Sequence, residues 1–154
     1  MKHECAQSIG RSQAVKAASI GLGLAYLIMA GIDGNLGWLG CLPDWWPNLA
    51  VATVLMYLCV YVYGGWAGAA ILEKKQDAGW IGTVYGICSL LTVAFLASWV
   101  GFFQEGLAKV GTNDNPFAAY IAAPVFWVSV VGLLPAALVG LWFGNSVKRA
   151  GKQA

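Results

Sequence analysis

Charge is scarce in this sequence. Of its 154 residues only 10% are Asp, Glu, Lys or Arg, against about 25% in an average soluble domain. The apolar share is 59%, the aromatic share 13%, and the mean hydropathy is +0.67. A small water-soluble globule leaves too much of its area exposed to hide that much apolar surface. A disordered chain needs the opposite balance, low hydrophobicity with high charge. The solvent left for most of this chain is lipid.

Histidine is almost absent too. The one histidine, His3, lies in the N-terminal tail. Paired-histidine haem ligation inside a membrane, an H-E-x-x-H zinc site and a Ser/His/Asp triad therefore have no basis in this chain. The four cysteines, Cys5, Cys41, Cys59 and Cys88, form no C-x-x-C pair, which argues against thiol–quinone redox chemistry. Cys59 and Cys88 read as small buried apolar residues. The glycine-rich stretches lack the lysine or acidic partners of a P-loop or a dinucleotide fingerprint. Thr112-Asn113-Asp114-Asn115 lacks the twelve-residue spacing and closing glutamate of a calcium loop. The sequence thus predicts no metal, no cofactor and no catalytic residue. A net charge of +2 is too small to argue for nucleic acid.

What the chain does have is long uncharged runs. Residues 17–32, 45–72, 78–104 and 115–147 contain no charged side chain. A membrane-spanning helix needs about 20 apolar residues, with a range of about 17–25. The last three runs pass easily. The first does so if Lys16 snorkels towards the headgroups and Asp33 stays near the surface. Strict apolar–polar alternation, the mark of a membrane barrel, is missing. The expectation is one all-α integral membrane domain over 1–154, a four-helix bundle with spans at about 14–34, 48–72, 80–103 and 118–144.

Orientation follows from the basic residues. Lys2, Arg11, Lys16, Lys74, Lys75, Lys148, Arg149 and Lys152 fall on one side of such a bundle, and only Lys109 falls on the other. The positive-inside rule makes both termini cytoplasmic. The chain has no glycosylation sequon, and a bacterial plasma membrane is the default location. No clean A-x-A site follows the first apolar segment, so a cleaved leader is not expected. Trp38, Trp45, Trp46, Trp99, Phe102, Phe103 and Phe117 gather near the predicted outer boundary. Trp66, Trp80, Trp142 and Phe143 gather near the inner one, as amphipathic rings prefer. Trp127, well inside span 4, is expected to pack against another helix.

Small residues four apart let membrane helices approach closely. Every span carries such a seam: Ala17, Gly21 and Ala25; Gly64 and Gly68; Gly82 and Gly86 with Ser89; Gly132, Ala136, Gly140 and Gly144. The seams predict a compact bundle that packs with itself or with other membrane subunits. Tyr57, Tyr61, Gly64 and Gly68 share one helical face, and the two phenols call for hydrogen-bond partners, with Thr92, Ser98 and Ser129 as candidates. Asp33, Tyr57 and Tyr61 are the candidate polar pathway. Pro124 and Pro135 are expected to kink span 4. Asn115-Pro116 reads as its N-cap, and Pro47 as the start of span 2.

Two stretches look alike. Gly64-Gly65-Trp66-Ala67-Gly68 and Gly140-Leu141-Trp142-Phe143-Gly144 both read G-x-W-x-G and both precede a basic pair. Ile20-Gly21 and Ile81-Gly82 sit near the inner ends of spans 1 and 3. The pattern predicts two parallel hairpin repeats, about 14–72 and 80–144. The functional expectation is a non-enzymatic scaffold or packing subunit whose partners are the bilayer and itself or other membrane subunits. The alternative is a small transporter or channel for a neutral or weakly polar solute.

Overall fold

A chain in lipid must satisfy its backbone N–H and C=O groups internally, and long uncharged segments do so as helices. The computed structural model describes residues 3–32, 42–111 and 115–153. Among these, side chains are described except at 3, 29, 30, 32, 42–48, 105 and 108. The described residues are all-helical, with no strand. Four long helices carry the fold: α1 (His3–Ile32), α2 (Leu42–Leu72), α3 (Ala78–Gly101) and α4 (Ala123–Gly151). Three segments are long and apolar enough to cross a membrane, Leu49–Leu72, Ala78–Gln104 and Ala118–Gly151. The molecule is thus a multi-pass membrane protein by length and composition.

Helix ends follow local chemistry. Asp77 caps α3, its Oδ1 accepting from the Trp80 amide at 2.8 Å. The turn before it is tight. Lys74 and Gln76 amides bond back to the carbonyls of Ala69 and Ala70, and Lys75 takes the left-handed conformation (φ 52°). Asn115 caps the fourth helical segment as expected, accepting from the Ala118 amide at 3.3 Å. Pro47 does not open α2, which begins five residues earlier at Leu42. Pro43 then occupies the first turn, where a missing N–H costs nothing. Pro124 is preceded by a π-helical turn, Ala118–Ala122, in which the Ala123 amide reaches back to Ala118. Proline cannot bond to the carbonyl four residues back, and the wider turn sits at that gap. A second π turn, Phe102–Gly106, and a 3₁₀ turn, Leu107–Lys109, continue α3.

The helices form a ring in which α1 packs on α2, α2 on α3, α3 on α4 and α4 on α1. The end of the ring formed by the start of α1, the end of α2, the start of α3 and the end of α4 carries Lys74, Lys75, Lys148 and Arg149, and is termed the basic end below. The buried core lies there: Ala14, Ala17, Ala67, Ile71, Ala78, Phe143 and Val147. Most other large apolar side chains point outwards, Leu27 and Leu134 each 71% exposed. In water this would be an aggregating surface, but in lipid it is a solvated one.

Candidate functional site

Two seams of small residues set the geometry. In the first, Ala6, Gly10 and Ala14 of α1 meet Gly64 and Gly68 of α2. A Cβ added to Gly68 would lie 2.5 Å from the Ala6 carbonyl oxygen and 2.8 Å from the Gly10 Cα. In the second, Ala78, Gly82 and Gly86 of α3 meet Ala136, Gly140 and Gly144 of α4. A Cβ on Gly82 would lie 2.8 Å from the Gly144 nitrogen, and one on Gly140 2.9 Å from the Thr83 Cα. These are backbone-to-backbone contacts that no side chain can enter.

Of the glycines singled out in the sequence, Gly64, Gly68, Gly82, Gly86, Gly140 and Gly144 thus lie in seams within this chain. Gly132 faces the Leu90 side chain. Gly21 belongs to neither seam, its nearest neighbour being Val139 Cγ1 at 3.9 Å. The seam on α1 lies eleven residues, about three turns, earlier than expected, because the helix starts at His3 and not near residue 14. The spacing of Ala6, Gly10 and Ala14 was a readable signal, hidden by placing Arg11 outside the helix.

Between the hairpins the same small residues leave space. Ala17, Ala18, Gly21 and Ala25 of α1, with Gly86, Ser89, Gly132 and Ala136, provide almost no side-chain volume. The result is a partly enclosed chamber of about 500 Å³ lined by all four helices. Leu22, Val60, Val93 and Val131 make its walls apolar, and Phe143 joins it to the core at the basic end. Three hydroxyl-bearing residues belong to this wall, Tyr63, Tyr85 and Ser89. Tyr63 is committed to Thr92 of α3 at 3.1 Å, and its ring lies 6.0 Å from that of Tyr85. Tyr85 and Ser89 make no hydrogen bond among the described residues. Pro135, also in the wall, deprives the Val131 carbonyl of its usual helical donor.

The candidate pathway residues do not come together here. Asp33 lies outside the described residues, as do Trp38 and Cys41. Tyr57 and Tyr61 are not chamber residues but turn to α1 on the other side of the first seam. Tyr57 Oη pairs with Ser19 Oγ at 3.0 Å, and Arg11 Nη1 donates to Tyr61 Oη at 3.5 Å. Ser98 and Ser129 satisfy their own helices instead, donating to the carbonyls of Ala94 (2.7 Å) and Val125 (2.6 Å). Short hydroxyls on a helix commonly bond back in this way. Trp127 is at the chamber's edge and 63% exposed rather than buried against a helix. Cys88 is likewise exposed, not buried, while Cys59 is half-buried. No group of three or more potential metal ligands occurs among the described residues.

No family model matches this chain, and no solved structure matches it.

Proposed function

We propose that the protein is a non-enzymatic four-span membrane protein that holds and moves a small neutral, mostly apolar solute in the chamber between its hairpins. One observation carries this reading: a partly enclosed cavity of about 500 Å³, lined by all four helices, with apolar walls and Tyr63, Tyr85 and Ser89 as its hydroxyl-bearing lining residues. That volume lies in the range of small-molecule sites, which pair apolar walls with a few polar groups. No charged residue belongs to the wall, so a neutral solute fits it better than an ion.

In this reading α1 is the fourth crossing, pairing antiparallel with α2 along its length. The basic end faces the cytoplasm of a bacterial plasma membrane, with both termini inside. Reporter tags on either terminus should therefore signal from the inner side only. The two hairpins are parallel repeats that keep the expected α2–α4 correspondence but shift that of α1, with Ile9-Gly10 and not Ile20-Gly21 matching Ile81-Gly82. Ala6-x-x-Ile9-Gly10 corresponds to Ala78-x-x-Ile81-Gly82, and Gly64 to Gly68 corresponds to Gly140 to Gly144. The support is that these residues make equivalent contacts: Ala6 with Gly68 as Ala78 with Gly144, and Gly10 with Gly64 as Gly82 with Gly140. Core residues Ala67 and Ile71 likewise correspond to Phe143 and Val147.

A packing subunit of a homo-oligomer or larger membrane complex ranks second. Its motive was the set of glycine seams, and six of those glycines are occupied within the chain. Flux of a panel of neutral solutes into proteoliposomes decides between the two. The expected result is uptake above empty vesicles for at least one solute. Gly21→Phe, which fills the chamber at a position with room for a side chain, should abolish it. No uptake across the panel removes the carrier reading and leaves the packing one.

A further inference from the structure

The repeat correspondence exposes a difference between the hairpins. On the face of α1 and α2 turned away from the chamber lies a polar stripe: Arg11, Ser19, Tyr57 and Tyr61, with Lys16 exposed nearby on α1. The corresponding positions in α3 and α4 are Thr83, Leu91, Leu133, Ala137 and Cys88. The second hairpin has the same seam contacts without any cation or phenol there. A seam of this kind therefore closes in α3 and α4 without such a stripe.

Arg11 is its centre. The guanidinium lies over the Tyr61 ring, 4.6 Å from its centroid, and one of its amino groups makes the long hydrogen bond to Tyr61 Oη. Its Nε is buried, with no hydrogen-bond partner. No carboxylate neutralises it among the described residues. A cation in this position without a counter-charge is a functional feature by default. Its depth is defined by α2, because Arg11 Nε packs against Gly65, seven residues inside the end of the Leu49–Leu72 span. At a rise of about 1.5 Å per residue the group is roughly 10 Å from that end. At such a depth an arginine draws headgroup phosphate and water inwards by local thinning of the bilayer. Arginine binds phosphate through two parallel N–H donors, and the Tyr61 hydroxyl lies beside it as a third.

We infer that Arg11 and Tyr61 form a binding site for a phosphate group, carried by an anionic phospholipid of the leaflet at the basic end. The lipid is the favoured source because the stripe continues into the membrane. The Ser19–Tyr57 hydroxyl pair lies eight residues along α1, about 12 Å deeper, followed by exposed Ile20, Val54 and Leu58 as a path for the chains. The inference is independent of what the chamber holds.

Native mass spectrometry of the detergent-solubilised full chain tests it, titrating dioleoylphosphatidylglycerol against dioleoylphosphatidylcholine. The wild type should bind the anionic lipid at least tenfold more tightly. Arg11→Gln should remove the preference, Tyr61→Phe should reduce it several-fold, and Lys152→Gln, at the exposed C-terminal tail, should leave it intact. Should Arg11→Gln fail to fold, Tyr61→Phe decides, since it keeps the ring and loses only the hydroxyl. Equal affinity for the two lipids, or a preference that survives both substitutions, overturns the site. Displacement of the lipid by millimolar inorganic phosphate assigns the site to a water-soluble phosphate and overturns the lipid assignment.

Discussion

At the level of single residues, some described hydroxyls close on their own helix and others bridge helices, and Ser19 does both. Ser98, Ser129, Thr53 and Thr83 take the first course, each donating to the carbonyl four residues back. Tyr63 takes the second, reaching Thr92 across the α2–α3 contact. Interhelical hydrogen bonds in membranes contribute modestly, about 0.6 kcal/mol on average. A double-mutant cycle of Tyr63→Phe and Thr92→Val, followed by reversible unfolding in mixed micelles, should give a coupling of about 0.5–1.5 kcal/mol. A coupling near zero would mean that the two hydroxyls do not meet. The same cycle on Tyr63→Phe and Ser129→Ala should give none, because Ser129 is committed to Val125.

The elements were legible in the sequence wherever one physical effect dominated. Charge-free runs located α2, α3 and α4 because burying charge in lipid is costly. Asn115 was readable as a cap because its side chain replaces a missing backbone partner. The start of α1 was not readable from charge alone. Arg11 and Lys16 looked like flanking residues, but both lie within α1, where Arg11 packs against Tyr61 and Gly65 of α2. Gly10 was lost with that boundary. The partners of Tyr57 and Tyr61 were hidden for a related reason, since the sequence does not say which neighbouring helix a given face meets. The chamber has no linear signature at all. It is the absence of side-chain volume at residues contributed by four separate helices.

Between elements, the seams make a sharp prediction. Gly82→Ala pushes a methyl group against the α4 backbone, which cannot move aside without separating the hairpin. Overpacking of this kind costs about 1–3 kcal/mol. Gly23 lies on the same kind of helix with nothing within 4 Å of an added Cβ. Gly23→Ala should therefore leave the unfolding free energy unchanged or raise it by up to about 1 kcal/mol, the helix-propensity difference. Equal effects of the two substitutions would show that the α3–α4 seam is not closed. Gly68→Leu should likewise unfold the bundle rather than merely change its association state, since its neighbours are Ala6 and Gly10 of the same chain.

For the molecule as a whole, the tight turn from Glu73 to Asp77 has a consequence of its own. It joins two hairpins that each carry a complete seam, and the hairpins share one core in which Phe143 and Val147 cluster with Ala14, Ala17, Ala67 and Ile71. The peptide link at the turn therefore supplies proximity rather than structure. Two separately expressed fragments, 1–75 and 76–154, should find each other in the bilayer and co-purify as a one-to-one pair. Replacing Phe143 with Ala should weaken that pairing while each fragment keeps its own helical content. Failure of the intact halves to assemble would mean that the covalent join, and not the shared core, holds the ring closed.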